Sequence, residues 1–91
     1  GKDAVLNLME NKGEFGQAPG TGFRCMYDGG TNQFKIRSAD DATVNDRLTI
    51  ERDSGDVVLS GGLNLANLPT SDPSVAGQLW RSGNDLKIST G

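Results

Sequence analysis

The strongest pattern in the sequence is a strand-like alternation of apolar and polar residues. In GFRCMYDGGTNQFKIRS, the apolar residues Phe23, Cys25 and Tyr27 occupy every second position, and Phe34 and Ile36 do the same after DGGTN. Successive side chains of a β-strand point to opposite faces, so each of these runs presents one apolar side. Two such runs on either side of a glycine-containing turn predict a β-hairpin.

Two more segments repeat this design. RLTIERDSGDVVLS has alternating apolar residues on both sides of the turn RDSGD, and GQLWRSGNDLKIST has them on both sides of SGN. The second segment contains Trp80, which we expect to be the large cross-strand anchor of its hairpin. The alternation therefore predicts three hairpins.

The remaining segments add one strand and several loops. AVLNLMEN near the start is predicted to be a strand, and the Gly/Pro-rich stretch from Asn11 to Gly22 a long surface loop. SDPSVAGQ allows one short helical turn, because a proline follows an N-cap residue and Gly77 soon interrupts it. We therefore predict an all-β fold of antiparallel hairpins in a single domain, 1–91, with an N-terminal hairpin region (1–47) and C-terminal hairpins (48–91).

Composition indicates that one copy has a small core. Leu, Val, Ile and Phe supply 20 of the 91 residues, and Gly supplies 13. A domain of this size buries only about 60–65% of the surface that its unfolded chain exposes. Each glycine also loses additional backbone entropy on folding. Burial between subunits is the expected source of the missing stability.

The segment DVVLSGGLNLANL also indicates burial between subunits. Val57, Val58 and Leu59 are consecutive, and three more leucines follow, which is more apolar surface than one exposed hairpin shelters. An identical neighbour related by rotational symmetry is the expected cover. The alternative is a monomeric two-sheet sandwich in which Val57 and Leu59 face the second sheet and Val58 packs under the long loop.

Charge and cysteine content narrow the classes of partner. The 9 basic and 12 acidic residues give a net charge of −3, which disfavours binding to nucleic acid and to anionic membranes. No apolar run approaches the 18 residues of a membrane span, so no membrane insertion is expected. The single cysteine, Cys25, cannot form an internal disulfide and is predicted to be a buried, inert thiol.

Candidate chemistry is sparse. The acidic groups in ADDATVND and RDSGD lack the spacing of a calcium loop and are better explained as turn-forming residues. We predict no catalytic residues, no metal site and no cofactor. Arg24, Tyr27 and Trp80 are candidate contacts for a host-surface glycan, because aromatic faces beside polar groups suit a sugar ring. For Trp80, packing is the favoured interpretation.

The run from Leu48 to Thr90 resembles the C-terminal part of virion proteins of tailed bacteriophages, namely tail fibres and structural appendages. The phrase LPTSDPSVAGQLW, followed by a glycine-containing turn and LKIS, carries this resemblance. LTIERDSGDVVLSGGLNL likewise resembles the strand–turn–strand units that precede such endings. The resemblance covers about the second half of the chain. The first half shares only the strand-like alternation of GFRCMYDGGTNQFKI.

This resemblance implies a non-enzymatic, homotrimeric virion component that is assembled in the host cytoplasm. Its partners would be itself and other virion proteins, and it leaves open a contribution to host-surface recognition. In such a trimer we expect Val57, Leu59, Leu63 and Leu65 to form the intersubunit core. The alternatives are a capsid decoration protein and a stand-alone carbohydrate-binding β domain.

Overall fold

Strands are the only regular elements in the part of the chain that the structure, a computed structural model, describes, which is residues 3–91. The strands are β1 (Ala4–Met9), β2 (Thr21–Asp28), β3 (Gln33–Asp40), β4 (Thr43–Glu51), β5 (Val57–Leu59), β6 (Leu79–Ser82) and β7 (Asp85–Ile88). The prediction of an all-β chain is therefore confirmed.

All strand pairs are antiparallel and join strands that are neighbours in the sequence. β1 to β5 form a five-stranded meander, and β6 and β7 form a separate two-stranded sheet. The hairpins β2–β3, β4–β5 and β6–β7 are the three that the alternation predicts. The predicted helical turn in SDPSVAGQ is absent, and only a hydrogen-bonded turn forms there, in which the Gln78 amide donates to the Val75 carbonyl at 3.0 Å.

A fourth hairpin, β3–β4, was not predicted from the sequence. Its turn is Asp41–Ala42, and Asp41 adopts a left-handed backbone with φ of 52°. Asp and Asn tolerate this conformation better than other non-glycine residues, so ADDAT makes a tight turn without glycine. The Asp41 carboxylate also accepts a hydrogen bond from the Gly20 amide at 3.0 Å. This carboxylate therefore connects the loop between β1 and β2 to the β3–β4 turn.

One face of the large sheet, here called the polar face, carries paired charges. Lys35 is buried there, with its ammonium 3.4 Å from a carboxylate oxygen of Asp28 and 3.9 Å from one of Asp46. Asp46 also accepts a hydrogen bond from Arg37 at 2.5 Å. A buried ammonium is costly unless it is paired, so these carboxylates make the position of Lys35 tolerable.

The loop between β1 and β2 covers part of this polar face. Phe15 in the loop lies against the guanidinium of Arg24, which is 4.4 Å from the ring centroid, in cation–π geometry. Arg24 also donates a hydrogen bond to Asn7 at 2.7 Å. Met26 and Ala39, which project to this face, are the only buried apolar residues among 3–91.

The described chain has almost no apolar core. Fourteen of its twenty Leu, Val, Ile and Phe residues are exposed, and no side chain is fully buried. The radius of gyration is 17.6 Å, whereas a compact domain of this length has about 12 Å. The two-sheet sandwich that was the monomeric alternative is therefore not formed, because a sandwich would bury the inner faces of both sheets.

Hydrogen bonds fasten the C-terminal hairpin to the segment before it. The buried Ser89 hydroxyl donates to Asp72 at 2.6 Å, and the Ser74 amide donates to the same carboxylate at 2.9 Å. The Arg81 amide donates to the Pro69 carbonyl at 2.9 Å. These polar contacts hold the tail from Pro69 onward together.

A glycine substitution tests the pairing of β1 with β2. A Cβ added at Gly22 would lie 2.1 Å from the Leu8 carbonyl oxygen, which is backbone and has to shift. Gly22→Ala is expected to destabilise the protein by about 1–3 kcal/mol, as overpacking typically does. The measurement is urea unfolding followed by far-UV circular dichroism.

Gly62→Ala is the matched control, because a Cβ at Gly62 meets nothing within 4 Å. Its free energy of unfolding is expected to stay within about 0.5 kcal/mol of the wild type. Equal effects of the two substitutions would show that the close approach of Gly22 to β1 is not formed.

Candidate functional site

The face opposite the polar face carries two apolar rows that cross all five strands of the sheet. Its first row runs Leu6, Cys25, Ile36, Leu48 and Leu59, each residue directly opposite the next on the neighbouring strand. A second row lies two residues away from the first on each strand. It consists of Ala4, Tyr27, Phe34, Ile50 and Val57. We call the surface made by these two rows, together with Leu8 and Phe23, the apolar face.

No part of residues 3–91 covers this apolar face. Leu6, Phe34, Val57 and Leu59 are exposed, and the central positions are only half-buried. Leu6, Cys25, Tyr27 and Phe34 also line a shallow depression of about 330 Å³. Monomeric soluble proteins rarely expose a contiguous apolar surface of this extent, and such surfaces mark interaction sites.

One end of the apolar face becomes polar. The next row starts with Leu8 and Phe23 and continues with Ser38 and Asn45. A cleft of about 690 Å³ lies there, and Arg47, the extra residue of a β-bulge in β4, lines it and donates a hydrogen bond to the Ser38 hydroxyl at 2.8 Å. An apolar centre with a polar margin is the usual anatomy of a protein interface.

The four residues predicted to form an intersubunit core divide into two groups. Val57 and Leu59 lie on β5 and belong to the apolar face. Leu63 and Leu65 lie beyond β5 in a segment without regular structure, and both are exposed. All four side chains are thus available for contacts, but the structure places the larger apolar surface on the sheet.

Sequence reasoning did not assign Leu6, Phe23, Phe34, Ile36 and Ile50 to an interface. The signal was present in the sequence, because each of them occupies the apolar phase of an alternating strand. Alternation does not say which residues of neighbouring strands pair with each other. That register is needed to place the apolar residues of different strands on one face of the sheet.

The three candidate ligand contacts do not form one surface. Arg24 and Tyr27 are three positions apart on β2, so they project to opposite faces of the sheet. Arg24 is already engaged by Phe15 and Asn7. The Tyr27 hydroxyl accepts a hydrogen bond from Arg52 at 2.8 Å, and Trp80 lies in the other sheet.

Trp80 is a half-buried residue whose polar edge points inward. It lies opposite Lys87, so the expected apolar cross-strand pair is not formed. Its indole nitrogen is inaccessible and has no hydrogen-bond partner. A buried indole N–H cannot donate to a ligand on the surface, which favours packing as the role of Trp80.

Reactive groups are few in the part of the chain that is described. Cys25 is a free thiol. It was predicted to be buried, but it is half-buried, because its side chain projects to the uncovered apolar face. Residues 3–91 contain no group of three or more metal-ligating side chains suited to a metal ion. Over the same range, no helix has the length and hydrophobicity needed to cross a membrane.

Comparisons with known proteins identify no relative. No family model matches the chain, and no curated protein or solved structure is significantly similar to it. The resemblance to phage appendage proteins therefore stays a prediction.

Asp72 gives a pH-dependent test of the C-terminal tail. The hydrogen bond from the Ser89 hydroxyl, and then that from the Ser74 amide, lower the pKa of Asp72 below its ordinary value of 3.8. Because the folded state favours the ionised carboxylate, its contribution to stability is present above that ordinary value and is lost as the pH falls through the lowered pKa.

We expect the NMR amide signals of Ser74 and Ser89 to titrate together with a midpoint below 3.8. The Asp72→Asn variant should show no such titration. A midpoint at or above that value in the wild type would mean that the Asp72 contacts are not formed.

Proposed function

We propose that the chain is a non-enzymatic structural module of a tailed-phage virion and that it works as a homotrimer in a tail fibre or similar appendage. The oligomeric part of this proposal is supported by one observation. The five-stranded sheet is well formed, yet within residues 3–91 nothing covers its apolar face and only Met26 and Ala39 are buried apolar residues. The virion part is supported by the resemblance of the second half of the sequence.

A fibre module resolves the conflict between an ordered sheet and a missing core. When several copies assemble, each strand buries its apolar side against other copies, so a low apolar fraction per chain is sufficient. Pairing or covering between copies also protects exposed strand edges such as β1 and β5 from aggregation. Rigid assembly rather than catalysis is then the activity of the protein.

The mass in solution is the first test. One chain has a mass of 9.6 kDa, so a trimer is expected at three times that value, about 29 kDa. Sedimentation equilibrium at micromolar concentration should give that mass. A folded, monodisperse species of 9.6 kDa would contradict the proposal.

Location separates the proposed function from its alternatives. An antiserum against the purified chain is expected to label the tail appendages of the corresponding phage particles in immunogold electron microscopy. Labelling over the head would instead indicate a capsid decoration protein. Absence of virion labelling together with specific signals on a glycan array would indicate a carbohydrate-binding domain.

A further inference from the structure

We infer that the apolar face of the five-stranded sheet is the surface through which copies of this chain contact one another, with the apolar faces of all copies turned toward their common rotation axis. This inference rests on the proposed homo-oligomer and says which surface holds it together. It moves the centre of the interface from the leucines after β5 to the rows that run from β1 to β5.

The charge distribution on the two sides of the sheet selects this face. The rows through Leu6 and Ala4 contain no charged side chain on any of the five strands. The opposite face carries Lys35, Arg37 and Asp46, which already pair with one another or with neighbours. An occupant of the apolar face must therefore be apolar at its centre, and a second copy of the same face satisfies this condition.

The margin of the face also suits a second copy. Arg47 and Asp40 both line the cleft at one end of the face. Around a rotation axis parallel to the strands, identical ends of neighbouring copies come together, so Arg47 of one copy can meet Asp40 of the next. Glu10 lines the same cleft, so each copy offers one cation and two carboxylates there, and contact between an arginine and a carboxylate is the favourable pairing.

The size of the face follows from strand geometry. It spans five strands and two rows of side chains. With strands about 4.8 Å apart and a rise of about 3.3 Å per residue, the two rows measure roughly 24 by 13 Å. Two such faces in flat contact bury about 600 Å², and Leu8, Phe23 and side-chain corrugation enlarge this area toward the roughly 1,000 Å² of a specific interface.

Adjacent residues on opposite faces provide a matched test. On β5, Val57 is 57% exposed on the apolar face and Val58 is 50% exposed on the other. On β1, Leu6 is 59% exposed on the apolar face and Val5 is 53% exposed on the other. Each pair offers the same strand and similar exposure on opposite faces. Val5 also lines the depression beside Leu6, so Val57 and Val58 are the stricter pair.

The experiment compares four variants by sedimentation equilibrium. Leu6→Asp and Val57→Asp are expected to reduce the mass to that of one chain, because each places a carboxylate in an apolar contact. Val5→Asp and Val58→Asp are expected to keep the mass of the wild type. Loss of assembly in all four variants, or in neither of the first two, would overturn the inference.

A second measurement needs no substitution, so it does not depend on whether a variant folds. Cys25 lies in the first row of the apolar face, between Leu6 and Ile36. Its reaction with Ellman's reagent should be at least about tenfold slower in the assembled protein than after dilution to the dissociated chain. An assembled protein whose Cys25 reacts as fast as the dissociated chain would contradict the inference.

The outcomes separate this inference from the proposed function. A trimer that survives Leu6→Asp and Val57→Asp, with reactive Cys25, would retain the proposed function and reject the apolar face as its interface. A dimer that these variants dissociate would retain the interface and reject the trimer. A folded monomer would reject both and leave the face to a different partner.

Discussion

An amphipathic sheet without a second layer is the constraint on which the rest of the structure depends. A sheet buries its apolar side against another layer in stable domains. Here residues 3–91 supply a loop and paired charges for the polar face, but nothing that covers the rows through Leu6 and Ala4. In that part of the chain the extended shape, the small core and the absence of fully buried side chains are consistent with this missing layer.

The polar face differs from the apolar face in carrying charged side chains that are paired with one another. Lys35 is buried between two carboxylates, and Gln33 donates a hydrogen bond to Glu51 at 2.5 Å. The Phe15 contact with Arg24 adds cover from the loop. The chain therefore pairs the charges on one side of its sheet, although Val5 and Val58 stay exposed there. The other side is the surface proposed for contact with further copies.

Alternation along the sequence was sufficient to predict most of the strands. Phe23, Cys25 and Tyr27 follow a period of two closely, and the turns beside them contain glycine, so these hairpins have clear local signals. The β3–β4 hairpin lacked such a signal, because its turn depends on Asp41 in a left-handed conformation. Consecutive aspartates have the same sequence pattern whether they form a tight turn or only add surface charge.

The candidate site was harder to predict than the strands. Arg24 and Tyr27 were grouped by residue type, although their odd spacing on one strand already places them on opposite faces. Conversely, the apolar stripes of five separate strands combine into one face only through register, which is a long-range property that periodicity does not contain. Composition did indicate the right physical problem, since a chain with 20 strongly apolar residues in 91 has little to bury by itself.

The concentration dependence of unfolding tests this account most directly. If folding is completed by contact between copies, the urea midpoint must rise with total chain concentration, because association stabilises only the folded state. We predict a higher midpoint at each tenfold increase in concentration, with the loss of secondary structure coinciding with the loss of mass. A single cooperative transition with a midpoint independent of concentration would contradict the account.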